Sequence, residues 1–151
     1  METKNIIIIG AAGRDFHNFN TVYRDNEAYN VVAFTAAQIP DIDGRKYPSE
    51  LAGYLYPNGI PIYSQDQLPE LIKELDVDEC VFSFSDLSYD DVMGIGAIVN
   101  AAGADFKLLG PDSTMLKSNK PVISVTAVRT GTGKSQTSRK IIETLLEKGL
   151  K

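Results

Sequence analysis

The chain has 151 residues, 43% hydrophobic and 23% charged, with a net charge of −5, a length that fits one compact domain and buries roughly 70% of its unfolded surface. The negative balance excludes a general nucleic-acid or membrane-surface binder, either of which would need a basic face. An anionic ligand fits only where basic residues gather, as they do at Arg129, Lys134, Arg139 and Lys140.

Strand and helix signals alternate, the pattern of a mainly parallel sheet covered on both faces. Residues 5–9 are a continuous run ending in four isoleucines, as in a strand buried on both sides. A short helix is expected between Phe16 and Asn26, then a strand over Val31–Thr35. Residues 38–58 are rich in Pro, Gly, Tyr and Asp and read as irregular. Within them Tyr47, Tyr54 and Tyr56, with Asp41, Asp43 and Arg45, are either a lid over the ligand rim or a plain surface excursion. Ile60–Tyr63 is the third strand, and Asp66 is placed to cap a helix carrying Leu68, Leu71, Ile72 and Leu75 on one face, with Pro69 in its first turn. The fourth strand is Cys80–Ser85. Ser88 and Asp91 then form a capping box for a helix with Val92, Ile95 and Val99 inward, and Phe106–Leu109 is the fifth strand. Residues 110–120 are polar and broken by Gly and Pro, marking a boundary. A sixth strand over Val122–Ala127 and a helix to about Lys148 close the chain.

The lone cysteine, Cys80, cannot form an internal disulfide or a thiolate cluster. It reads as a buried inert thiol, which fits a cytoplasmic location. No targeting signal is read, and no apolar stretch approaches the ~20 residues of a membrane span.

Two glycine turns carry chemistry. The second, Val128-Arg129-Thr130-Gly131-Thr132-Gly133-Lys134-Ser135, lies between a strand and a helix. Glycines there let successive amides point at phosphate oxygens, and the helix start adds its own. Lys134 would reach the β- and γ-phosphates, Ser135 would enter the Mg²⁺ shell, and Gln136 completes the first turn. Arg129 and Thr130 would touch the γ-phosphate or a second substrate. Thr130, Gly131, Thr132, Gly133, Lys134, Ser135 and Gln136 thus form the nucleotide site, with Lys134 and Arg129 as catalytic residues. Val128 stands where the usual first glycine would be. No acidic strand end follows to hold the magnesium water shell, so the sequence reads as the front of a longer protein.

The first turn, Gly10-Ala11-Ala12-Gly13, stands where dinucleotide folds cradle a pyrophosphate, although no acidic residue closes the second strand. Arg14 could clamp a phosphate or carboxylate bidentately; alternatively Arg14 and Asp15 are a surface pair beside a helix cap. His17, the only histidine, is a helix-start residue or a general acid/base. Ser83, Ser85, Asp86 and Ser88 surround the end of the fourth strand, on the sheet edge where parallel folds place ligands. Gly10, Ala11, Ala12, Gly13, Arg14, Asp15, Ser85 and Asp86 form the expected substrate or second nucleotide site.

The strings IIIIGAAGRDFHNFN, VVAFTAAQIPDIDGRKYP, YPNGIPIY, FSFSDLSYDDVM and VTAVRTGTGKSQTSR resemble, in order, the N-terminal part of archaeal cyclic 2,3-diphosphoglycerate synthetases, a family also described as predicted GTPases. Val128 replaces the first glycine as in that family's loop. The resemblance implies an ATP- and Mg²⁺-dependent ring closure. ATP would phosphorylate one phosphate of 2,3-diphosphoglycerate, and the second phosphate would displace inorganic phosphate to form an internal anhydride. Arg14 and Arg129 would then grip the polyanionic substrate. Family members are longer, so weak ligand binding without turnover is expected of this piece.

The fold class is therefore α/β: a Rossmann-like, mainly parallel sheet with helices on both faces over residues 1–110, a linker over 111–120, and the first strand–loop–helix of a P-loop NTPase domain over 121–151. Two other functions stay open: a non-catalytic Rossmann-like module binding CoA or NAD at Gly10–Gly13, and a GTP-dependent regulatory protein, for which the guanine-reading N-K-x-D is not present. Pairing as a homodimer is also left open.

Overall fold

The computed structural model describes residues 3–11, 13–37, 44–83, 87–126 and 132–150. The chain divides into two compact units, residues 1–116 and 117–151.

In the first unit, β1 (Lys4–Ile9) leads through the glycine turn into α1 (Arg14–Asn18), which continues as a π-helical turn, Phe19–Tyr23. After β2 (Tyr29–Ala36) come β3 (Lys46–Tyr47), α2 (Ser49–Ala52) and β4 (Ile60–Ser64). A 3₁₀ turn, Gln65–Gln67, opens into α3 (Leu68–Glu74), followed by β5 (Glu79–Phe82), α4 (Tyr89–Ala102), β6 (Asp105–Leu108) and the short α5 (Pro111–Thr114). The strands form one six-stranded sheet in the order β3-β4-β2-β1-β5-β6. All pairings are parallel except the antiparallel β3–β4 edge. The order turns back at β1, where β2 lies on one side and β5 on the other. The C-terminal ends of β1 and β5 are therefore the switch point at which such sheets hold ligands.

Side-chain alternation along β1 builds both cores. Ile6 and Ile8 join Phe19, Tyr23, Phe34, Tyr47 and Tyr56 on one face. Ile7 and Ile9 join Leu68, Leu71, Ile72, Cys80 and Val99 on the other. Four consecutive isoleucines suit this place because a central parallel strand has no solvent face. Cys80 is fully buried, and burial pushes its thiol up to about 12.

Several expectations need correction. Residues 44–58 are not an irregular surface excursion. Tyr47 and Tyr56 are core residues, and Phe16 stacks on Tyr47 with ring centroids 4.7 Å apart. The reason is aromatic area: these rings cover the β2–β4 side of the sheet, where α1 alone is too short. Tyr54 is exposed, while Asp41 and Asp43 lie outside the described residues. Gly59, at φ +70, lets this segment close, since a Cβ there would stand 2.4 Å from the Tyr47 carbonyl oxygen. Asp66 does not cap α3. The 3₁₀ turn makes Gln67 the N-cap, without a side-chain bond. Ser88 does cap α4, its Oγ accepting from the Asp91 amide at 3.2 Å and donating to the Asp91 carboxylate at 2.6 Å.

In the second unit, residues 121–126 carry no strand where one is expected; Ala127 lies outside the described residues. Among the described residues their apolar side chains have no hydrogen-bonded neighbouring strand, and a strand is defined by its ladder. α6 (Lys134–Glu147) is amphipathic but has no buried residue. Pro121, Ile123 and Val125 line a cavity of about 310 Å³ with Ser138, Ile141, Ile142 and Leu145. No helix among the described residues is long and apolar enough to cross a membrane.

Candidate functional site

At the switch point, the turn after β1 is built around a carboxylate of the chain itself. Gly10 has φ +130, and its amide donates to the Thr35 carbonyl at 2.8 Å, tying the end of β1 to β2. Asp15 is buried (3% exposed) and accepts from the Gly13 amide at 2.5 Å and the Phe16 amide at 3.0 Å. A Cβ on Gly10 would stand 2.9 Å from the second Asp15 carboxylate oxygen. Gly10 is thus small because Asp15 folds against it. Ala11 is half-buried and Ala12 lies outside the described residues.

Arg14 and Asp15 point apart: Asp15 is turned inward, whereas Arg14 is exposed and makes no ion pair among the described residues. One turn further, His17 Nε2 lies 2.6 Å from the Thr114 carbonyl oxygen. A carbonyl only accepts, so the proton sits on Nε2. Gly13, Arg14 and His17 face Pro111, Thr114 and Met115 across a groove of about 480 Å³. Behind it the buried Asn18 amide donates to Ser83 Oγ at 2.9 Å, joining α1 to the end of β5. Ser85 and Asp86 lie outside the described residues. Asn18, Pro111, Thr114 and Met115 escaped the sequence reading. The one available signal was the i, i+3 spacing of Asp15 and Asn18, two polar residues on the same side of a short helix.

In the second unit Gly133 is left-handed (φ +89) and is the N-cap of α6, so Lys134, Ser135 and Gln136 form its first turn, all exposed. The first intrahelical bond runs from the Thr137 amide to the Gly133 carbonyl at 3.1 Å. The amides of Ser135 and Gln136 therefore have no acceptor within the helix. Thr132 is exposed; Arg129, Thr130 and Gly131 lie outside the described residues. Among the described residues no group of three or more His, Cys, Asp or Glu side chains is arranged to hold a metal.

No protein-family profile matches the chain. Over 148 residues it is 64% identical to a Thermococcus kodakarensis protein named arginine synthetase ArcE. The chain is similar to an archaeal synthetase. The match covers 98% of this chain and 33% of that protein, so the chain spans about a third of its relative's length. Among solved structures, the Rex-family repressor RSP superposes with a TM-score of 0.52 at 18% identity, over 99% of this chain and 64% of the repressor. UDP-D-quinovosamine 4-dehydrogenase from Vibrio fischeri does so with a TM-score of 0.52 at 18% identity, over 72% of this chain and 79% of the enzyme. At such identity these likenesses establish a Rossmann-like fold and nothing about ligands.

Proposed function

We propose that the chain is the nucleotide-handling part of a synthetase that couples a nucleoside triphosphate to formation of arginine, acting in the cytoplasm. The carrying observation is Gly133. Its left-handed backbone turns the chain into α6 so that Lys134 and Ser135 occupy the first turn of a fourteen-residue helix. In this reading Thr130 to Gln136 cradle the phosphates of ATP, Lys134 and Arg129 neutralise the transferring phosphoryl group, and Ser135 takes Mg²⁺. Arginine as product is suggested by the name of the relative. The shared chemistry is activation of a substrate oxygen by phosphoryl transfer, after which phosphate leaves as the new bond forms.

The resemblance of the five sequence strings, with Val128 before the loop, favours a second reading in which 2,3-diphosphoglycerate is cyclised. Against it, the turn expected to meet that polyanion already holds the Asp15 carboxylate. The same carboxylate counts against a CoA- or NAD-sensing module at Gly10–Gly13. A GTP-dependent regulatory protein would differ both in the base recognised and in passing the phosphoryl group to water.

Titration of Mg-ATP and Mg-GTP into the chain and its Lys134→Ala variant tests the proposal. The preferred nucleotide identifies the base. The variant should bind it at least about tenfold more weakly, as expected on losing one charge-assisted bond. Equal affinities would reject the role of Lys134.

A further inference from the structure

The first unit holds a cation and a cavity that the nucleotide reading does not use. Arg14 is exposed without an ion pair among the described residues, while the adjacent Asp15 is drawn into the glycine turn. The groove beside them, about 480 Å³, is of a size that takes a small organic molecule. Its walls come from different parts of the chain: Arg14 and His17, three residues apart and so on one side of α1, and the segment after β6. The bond between His17 and the Thr114 carbonyl fastens those walls together. Pro111 and Met115 add apolar side chains to the lining that Arg14 shares.

The geometry points to a binding site for a small molecule with one oxyanion, a carboxylate or a phosphate monoester, on an apolar stem. The oxyanion pairs with the Arg14 guanidinium, whose fork matches either group. The stem lies along Pro111 and Met115. Dinucleotides and pyrophosphates are refused, because the Gly13 and Phe16 amides of the turn are already taken by Asp15, whose carboxylate repels a second anion placed there. The site needs the first unit alone and stands whether or not the second unit binds nucleotide.

The test uses the full chain carrying Lys134→Ala, so that an anion cannot register at the second unit's loop. Butyrate, butyl phosphate, butylammonium and NADH are titrated while the Met115 methyl and His17 ring signals are followed by NMR. Saturable shifts with butyrate, butyl phosphate or both, and none with butylammonium or NADH, are expected. The head group that binds better identifies the ligand class. Adding Arg14→Gln, a change at an exposed position, should weaken binding at least about tenfold. If neither anion shifts these signals in the millimolar range, if Arg14→Gln leaves the affinity unchanged, or if butylammonium or NADH shifts them equally, the site is not as inferred. If the chain with Lys134 intact binds neither Mg-ATP nor Mg-GTP while butyrate binding persists, only the nucleotide reading is overturned.

Discussion

Two buried tyrosines show how one hydroxyl can stabilise and another cost. The Tyr56 hydroxyl accepts from the Val31 amide of β2 at 3.0 Å. The Tyr23 hydroxyl is buried and has no hydrogen-bond partner among the described residues, and burial pushes its ionisation well above the usual range. Tyr56→Phe strands a buried backbone N–H and should cost about 1–3 kcal/mol in denaturant unfolding. Tyr23→Phe removes an unsatisfied group and should change stability by less than about 1 kcal/mol, in either direction. Equal losses in both variants would contradict this assignment. Neither role was legible beforehand. Tyr23 was one aromatic in a short helix, and Tyr56 belonged to a segment that looked like surface loop because Pro, Gly and Asp surround it. Their difference arises only from what each hydroxyl meets once the chain has folded.

Among elements, β1 was the most legible, since an unbroken β-branched run has one stable place in a parallel α/β sheet, its centre. The Ser88–Asp91 cap was legible too, because both partners lie within one turn. Asp66 misled for the converse reason: a capping residue type counts only if the helix begins next to it, and here a 3₁₀ turn intervenes. The N-terminal edge of the sheet holds an ion cluster that no local pattern shows. Glu79 of β5 is buried and receives Lys4 of β1 and Lys107 of β6 at 3.0 Å from the latter. Burial alone would raise the Glu79 carboxyl, but hydrogen bonds and charge from Lys4 and Lys107 together bring it below its ordinary 4.5. A carboxyl held lower in the folded chain than in the unfolded one adds stability above about pH 4.5, and that contribution fades as pH falls through the folded value. At pH 7 Glu79→Gln should cost about 1–3 kcal/mol, with the gap between wild type and variant narrowing in thermal melts below pH 4.5. A constant gap across that range would show that Glu79 acts by shape rather than charge.

Across the whole molecule, the two units differ in how much apolar surface they hide. Ile6, Ile7, Ile8 and Ile9 are fully buried in the first, whereas α6 has no buried residue and Ile123, Ile142 and Leu146 are all more than half exposed. Opening free energy follows buried apolar contacts. Amides of β1 should therefore exchange at the rate of global unfolding, and those of α6 at least about a hundredfold faster. Equal protection in a hydrogen-exchange experiment would mean that α6 is held by contacts other than those described.

Periodicity, β-branched runs and glycine turns are properties of neighbouring residues, so the alternation of strands and helices, the central place of β1 and the glycine turn that opens α6 could be read along the chain. Whether a group faces inward, and what it meets there, depends on partners tens of residues away. For that reason the inward Asp15 that fills the first glycine turn, the groove between Arg14 and Met115, the buried tyrosines and the Glu79 cluster emerged only once the sheet had closed.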